Sequence, residues 1–320
     1  MIDYLVVGQG LAGTVFAWQA IKRGKRVLVV DREDEITSSK VAAGIINPIT
    51  GKRPKLSWRF EELWPVASEF YRNCEAGSWH ERPIIRLFRD EAEAEAWPGS
   101  LPTDFDQMKF DCRFGGFENA RSGRLDVAEF LRRSREIFSS EGFYRQGEFE
   151  DFKDAEARFF VFCQGFEGSR NPLFENVPLR SGKGEILELR IPDFDEQRIV
   201  NRGKWLLPLG DEKFRAGSTF AWDDLTCEPT TAGRAEIEIG LREMLKVDYE
   251  ITRAESAIRP MGFHGKPRLG HHPENPKMAY FNGLGSKGVL LAPYFAQQLL
   301  EHLEDEKPLD AEVDIAQFWK

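Results

Sequence analysis

Tyr4, Leu5, Val6 and Val7 form an unbroken apolar run too short for a helix, ended by Gly8, Gly10 and Gly13 at Gly-x-Gly-x-x-Gly spacing. This predicts a buried strand followed by a helix start. Val15, Trp18, Ala20 and Ile21 continue at helical spacing, Gly24 stops the helix, and Val27 to Val30 give a second buried strand ending in Asp31. Ser38 to Arg53 is small and punctuated by glycine and proline, which predicts a loop or short helix. Trp58 to Tyr71 has helical periodicity through Phe60, Leu63, Trp64, Ala67 and Phe70. Pro83 to Phe88 reads as a strand and Glu91 to Trp97 as a solvated, charged helix. Leu125 to Phe138 reads as an amphipathic helix with Arg132, Arg133 and Arg135 on its polar face.

Arg158 to Gly165 predicts a third strand of the first sheet, and strands then dominate. Gly184 to Ile191, Lys204 to Leu209 and Lys213 to Ser218 are strand-like, the last two joined as a hairpin through Gly210, Asp211 and Glu212. Ala232 to Leu245 is a helix opened by Thr230 and Thr231. Met278 to Phe281 is a strand, Gly283 to Gly288 a glycine turn, and Val289 to Leu303 a helix. The order is βαβ at both ends around a mainly antiparallel insert. We therefore expect an α/β chain in which residues 1–75, 120–178 and 255–320 form a Rossmann-like nucleotide-binding domain, with a substrate domain from 76–119 and 179–254.

The first unit carries the strongest chemistry. Gly8 permits the tight turn, Gly10 lets backbone approach a pyrophosphate, Gly13 allows close packing of helix on strand, and the phosphates meet unpaired N–H groups. Asp31 sits where an acid can bind a ribose diol. The second cluster, Gly283, Gly285 and Gly288, also lies between strand and helix, although no strand or acid follows it. That helix start would set positive dipole against an electron-rich ligand edge, as a flavin's pyrimidine edge becomes on reduction. An ordinary helix start with glycines for packing is the alternative.

Composition narrows the class. The 320 residues are 41% hydrophobic, enough for a sizeable core, and 44 basic against 53 acidic residues give a net charge of −9 that no charge run reverses on a large scale, so nucleic acid is not an expected partner. Cys74, Cys112, Cys163 and Cys227 are far apart, with no Cys-x-x-Cys pair, and read as reduced thiols of a cytoplasmic protein. His264, His271 and His272 fall among prolines and glycines, so we expect a solvated loop and no metal site. The segment after Met1 is a strand ending in glycines, not a signal peptide. The apolar run at Val289 to Ala296 is broken by Pro293 and falls short of the ~20 residues that span a bilayer, so no membrane partner is expected.

Four patches then carry a resemblance: VVGQGLAGTVFAWQ with VLVVD; SSKVAAGIINP; LLPLGDEKFRAGST; and IRPMGFHGKPRLGHHP followed by FNGLGSKGVLLAP. In this order and at this separation they resemble the D-amino acid oxidase and glycine oxidase superfamily of FAD-dependent oxidoreductases. The resemblance implies noncovalent FAD in the Rossmann-like domain. It puts Gly8, Gly10, Leu11, Ala12 and Gly13 at the pyrophosphate, and Asp31 with Arg32 at the adenosine ribose. Ser38, Ser39, Ala42, Ala43 and Gly44 would line the phosphates and the ring. Gly165 closes the third strand of the same site, and Gly283, Gly285, Ser286, Lys287 and Gly288 lie at the flavin edge. Small residues suit a planar ring lying on main chain.

Arg259 precedes Pro260 where relatives commonly bind the substrate carboxylate. A guanidinium does this through two parallel charge-assisted hydrogen bonds, and a core-satisfying arginine is the other reading. The chain departs from relatives at Phe263 to Pro267, shows no match for their active-site tyrosines, and has no cysteine where covalent flavin attaches. The implied activity is oxidation of the C–N bond of a small amine or amino acid by hydride transfer to flavin N5, in a dry pocket to which Trp205, Phe214, Phe220 and Trp222 could contribute. A flavoenzyme modifying the wobble uridine of tRNA, a nicotinamide-dependent dehydrogenase and a flavin-binding protein without catalysis are the alternatives. Oligomeric state and electron acceptor are left open.

Overall fold

The computed structural model describes residues 2–51, 55–97 and 99–319; Lys52 and Arg53, at the end of the expected loop, lie outside the described residues. In chain order the longer strands are β1 (Ile2–Val7), β2 (Val27–Asp31), β3 (Ile84–Leu87), β4 (Gly116–Asn119), β5 (Tyr144–Gln146), β6 (Ala157–Phe162), β7 (Leu179–Arg190), β8 (Ile199–Arg202), β9 (Lys204–Gly210), β10 (Lys213–Gly217), β11 (Glu250–Gly262), β12 (Arg268–His272) and β13 (Asn275–Asn282). The helices are α1 (Leu11–Lys22), α2 (Ser38–Val41), α3 (Phe60–Asn73), α4 (Glu91–Ala96), α5 (Val127–Ser140), α6 (Thr231–Met244) and α7 (Gly288–Asp305).

Two sheets organise the chain. The first runs β5-β2-β1-β6-β13-β12, and β1 pairs in parallel with both neighbours, Val6 opposite Val29 and Val161. Its central strands β1 and β2 are apolar on both faces because each face is covered: α1, α5 and α7 pack on one, the Phe149–Phe162–Phe174–Tyr280 cluster on the other. The second sheet, β11-β7-β10-β9-β8-β3-β4, is antiparallel except where β3 meets β8. One of its faces buries Leu187, Leu189, Phe214 and Ala216 beneath Ile237, Leu241 and Met244 of α6. The α/β class and the antiparallel second sheet agree with the sequence reading.

Several expectations need correction. Leu125 belongs to a short strand, Gly123–Leu125, and α5 starts at Val127 because Asp126 accepts a hydrogen bond from the Glu129 N–H and caps the helix. The Glu91–Trp97 helix is not wholly solvated: Glu93 is buried and binds Arg86 and Arg89. At the C-terminal end no strand follows α7 among the described residues, so that half is βα only. Phe214 is core and not pocket. The expected domain boundary at 254/255 falls inside β11, which pairs with β7 from Glu250 to Gly262. That strand escaped the sequence reading, and it carries Arg259.

Candidate active site

A cavity of about 1740 Å³ opens between the two sheets. Small-ligand pockets run to roughly 300–1,000 Å³, so there is room for a dinucleotide and a substrate together. Two helix starts form its floor. At α1, Gly8 turns at φ +104°, where a Cβ would also come 2.5 Å from the Cys163 carbonyl oxygen. Gly10 offers no side-chain cap, and Ser39 Oγ takes only the Leu11 N–H, at 3.1 Å. The start of α7 is likewise uncapped. A Cβ on Gly288 would lie 3.1 Å from Leu11 Cδ2, so the two helices begin against one another with both N-terminal dipole ends at the cavity.

At the end of β2, Asp31 Oδ2 accepts the Gln9 N–H at 2.6 Å and Oδ1 the Glu33 N–H at 2.7 Å. The carboxylate is thereby fixed at the cavity edge with lone pairs to spare. Thr37 caps α2 by accepting the Lys40 N–H, and the chain from Ala42 to Gly44 then crosses to the second sheet. Ala43 packs there against the Ile84–Ile199–Leu207 cluster. Gly44 touches the Leu125 carbonyl so closely that a Cβ would overlap it. The small residues are therefore demanded by close main-chain approach on one side while their other side faces the cavity.

Charge pairing separates the lining cations. Arg32 pairs with Asp34, Arg86 and Arg89 with Glu93, Arg170 with Glu167, Arg202 with Asp111, and Lys204 with Glu236. Among the described residues, Arg259 and Lys287 have no carboxylate partner. Arg259 lies across Gly184, where a Cβ would overlap its guanidinium. It has the Phe220 ring 5.4 Å away and donates only to the Thr219 carbonyl, at 3.4 Å. Burial pushes its pKa down to about 10, so it keeps its charge at neutral pH while lacking compensation. Burial and then the charge of Lys55 lower that of Lys287 too. A buried charge left unpaired is costly, and an anionic or electron-rich ligand would relieve it.

The segment after β10 is held in place from beneath. Lys183, fully buried on β7, exchanges backbone hydrogen bonds with Ala221, and its Nζ donates to Asp224 Oδ2 at 2.6 Å, to Thr226 Oγ1 and to the Glu228 carbonyl. The Lys183 bond, helped by the Thr226 N–H, brings the Asp224 pKa down to about 2. A depressed carboxyl contributes stability that is complete above its unfolded value and is lost as pH falls through the folded one. The segment should thus stay anchored at pH 4 and release only toward pH 2. Trp222 fluorescence during acid titration reads this, and Lys183→Met should move the release up into the ordinary carboxyl range. Coincident titrations for the two proteins would refute the anchor.

Of the residues expected from sequence, Gly8, Gly10, Leu11, Ala12, Asp31, Arg32, Ser38, Ser39, Ala42, Ala43, Gly44, Gly165, Arg259, Gly285, Ser286, Lys287 and Gly288 all line this one cavity. Gly13 and Gly283 do not. Gly13 lets α1 close onto the Gly8 carbonyl, and the Gly283 carbonyl accepts the Gly262 N–H at 3.1 Å, tying the turn to β11. Trp205 lines the cavity, whereas Phe220 and Trp222 meet as a tilted ring pair, Phe220 against Arg259 and Trp222 against Arg180, both exposed. Gly184, Leu225, Cys227 and Ile239 also line it and were missed as site residues. The alternation in Gly182-Lys183-Gly184-Glu185 was the signal available for the first of these. Among the described residues no cluster of three or more metal-ligating side chains occurs, and no helix is long and apolar enough to cross a membrane.

Residues 3–302 match the family model described as FAD dependent oxidoreductase, DAO. The chain belongs to this family. Among solved DAO-fold structures it resembles glycine oxidase from Geobacillus kaustophilus (TM-score 0.78, 20% identity, covering 99% of this chain and 97% of that one). It also resembles iminodiacetate oxidase from Chelativorans sp. BNC1 (TM-score 0.77, 16% identity, 97% of both). The bifunctional protein ThiO/ThiG of Nostoc sp. (strain PCC 7120 / SAG 25.82 / UTEX 2576) is 24% identical over 350 residues, 95% of this chain and 53% of that protein. An uncharacterized oxidoreductase, YurR, of Bacillus subtilis (strain 168) is 25% identical over 114 residues, 35% of this chain and 27% of that protein. The chain thus spans about half or less of the curated relatives it matches. The two uncapped helix starts, the fixed carboxylate at β2, the side-chain-free loop and the unpaired lysine together fit a dinucleotide that carries an electron-rich ring.

Proposed function

We propose that this DAO-family chain is a cytoplasmic flavoenzyme that oxidises the C–N bond of a small amine or amino acid, with FAD held noncovalently. The observation that carries the reading is the pair of unpaired cations, Lys287 at the start of α7 and Arg259 on β11, lining one cavity. Gly8, Gly10, Leu11 and Ala12 would hold the pyrophosphate, Asp31 the ribose, and Ser39, Ala42, Ala43 and Gly44 with Gly285 to Gly288 the ring. When bound, FAD supplies the acceptor for the hydride leaving the carbon next to nitrogen, and water hydrolyses the resulting imine. Arg259 would clamp the substrate carboxylate, converting a loose encounter into one fixed orientation. Trp205 and Ile186 would exclude water beside it. The positive charges of Arg259 and Lys287, in that dry setting, would lower the pKa of the substrate ammonium and favour the reactive neutral amine.

The activity test begins with colour. Purified protein should be yellow, absorb near ~450 nm and release its flavin on heating or acidification. Anaerobic mixing with carboxylate-bearing amines should then bleach it, while the corresponding alcohols should not. Colourless protein that gains no flavin absorbance on incubation with FAD would end the proposal.

A further inference from the structure

Nine large apolar side chains are exposed among the described residues, and four of them, Phe220, Trp222, Leu225 and Ile239, belong to the segment after β10 and to α6. Leu225 and Ile239 are exposed and also line the cavity, so they mark its mouth. Apolar side chains left in water at the opening of a concave site point to something that covers them. They do not sit on a frayed segment. Lys183 holds Asp224, Thr226 and Glu228 from below, and buried Glu185 accepts from both the backbone N–H and the hydroxyl of Thr230, each at 2.7 Å. A wall fixed by two neighbouring buried charges is built to present a constant shape.

The lining cations beside this mouth are already paired, Arg202 with Asp111. Lys204 is paired with Glu236 and donates to the Ser218 carbonyl at 2.8 Å. Beyond Arg259 the lining on this side therefore offers Trp205, Leu225, Cys227 and Ile239, with the Glu243 carboxylate and no second unpaired cation; Lys287 stands apart at the start of α7.

We infer that the substrate is a monocarboxylate amine whose substituent, on the α-carbon or on nitrogen, is apolar and of leucine size or larger, seated along Trp205, Leu225, Cys227 and Ile239. A second carboxylate on the substrate is rejected because no unpaired cation on this side receives it and Glu243 repels it. The inference rests on the carboxylate reading of Arg259, and its test separates the two.

The FAD-loaded protein is titrated with carboxylates that cannot be oxidised, namely acetate, 4-methylpentanoate, 3-phenylpropanoate and glutarate, and Kd is read from the shift of the flavin spectrum. Each buried methylene should tighten binding by roughly fourfold, so the two apolar acids should bind on the order of tenfold or more tighter than acetate, and glutarate no tighter than acetate. In Leu225→Asp/Ile239→Asp the ratio of acetate to 3-phenylpropanoate Kd should fall toward one. Equal Kd for acetate and 3-phenylpropanoate in the unaltered protein, or glutarate the tightest, overturns the inference. Arg259→Met should weaken every member of the series; if it weakens none, the carboxylate clamp itself is wrong, whatever chain length does.

Discussion

Arg259→Met is expected to lower kcat/KM for a carboxylate-bearing amine by about two to three orders of magnitude while the melting temperature of the flavin-loaded protein stays level or rises. The kinetic figure follows from losing a partly buried charge-assisted pair, worth roughly 2–5 kcal/mol, at about 1.4 kcal/mol per tenfold. The stability figure has the opposite sign to the usual arginine deletion. A structural arginine is tied to a carboxylate, as Arg86 is to buried Glu93 and Arg202 to Asp111, and removing it takes an ion-pair partner from that acid. Arg259 strands nothing, because its one side-chain hydrogen bond among the described residues is a long contact to the Thr219 carbonyl. Burial opposes its charge, so exchanging it for an apolar side chain of similar length removes a cost. Arg259→Lys should recover only part of the rate, since a single ammonium cannot form the two parallel bonds of the fork. Full activity in Arg259→Met, or a melting temperature several degrees lower, would identify the residue as structural.

Much of the nucleotide half of the site was legible because its determinants are local. Strand, glycine spacing, helix, stop and acid follow one another within Ile2 to Asp31, and the element bounds fell where the pattern put them. The convergence of the two helix starts was readable only as two similar turns; that they meet, with Gly288 against Leu11, is a property of the sheet order that brings β13 beside β6. The substrate half was less legible. β11 is an edge strand whose sequence, with Arg253, Glu255 and Pro260, lacks clean apolar alternation, so the strand that carries Arg259 went unseen. Pairing is also non-local: Lys204 meets Glu236 and Arg202 meets Asp111 only in the fold, so which cations remain free could not be read from spacing.

Gly184→Val should reproduce most of the Arg259→Met kinetic defect with the arginine still present. In the register of β7 and β11, Arg259 stands opposite Gly182, and Gly184 is the diagonal neighbour on the same face. The absent side chain is what lets the guanidinium lie down across the strand, because a Cβ there would overlap Nη2 and Cζ. Gly182 makes the matching space for Phe220, whose ring would meet a Cβ at 2.6 Å and which covers the guanidinium. A β-branched side chain at 184 is well tolerated by an extended backbone. The strand therefore holds and the arginine is displaced. Because both substitutions act on one object, their effects should not add: Gly184→Val/Arg259→Met should be no slower than Arg259→Met alone, giving a coupling free energy close to the whole effect of the valine. Flavin absorbance should be unchanged in all three proteins, since Gly184 sits on the second sheet, away from the helix starts of α1 and α7. Additive losses in kcat/KM would mean that the valine harms the site by some route other than moving Arg259, and the glycine would then be no part of the carboxylate clamp.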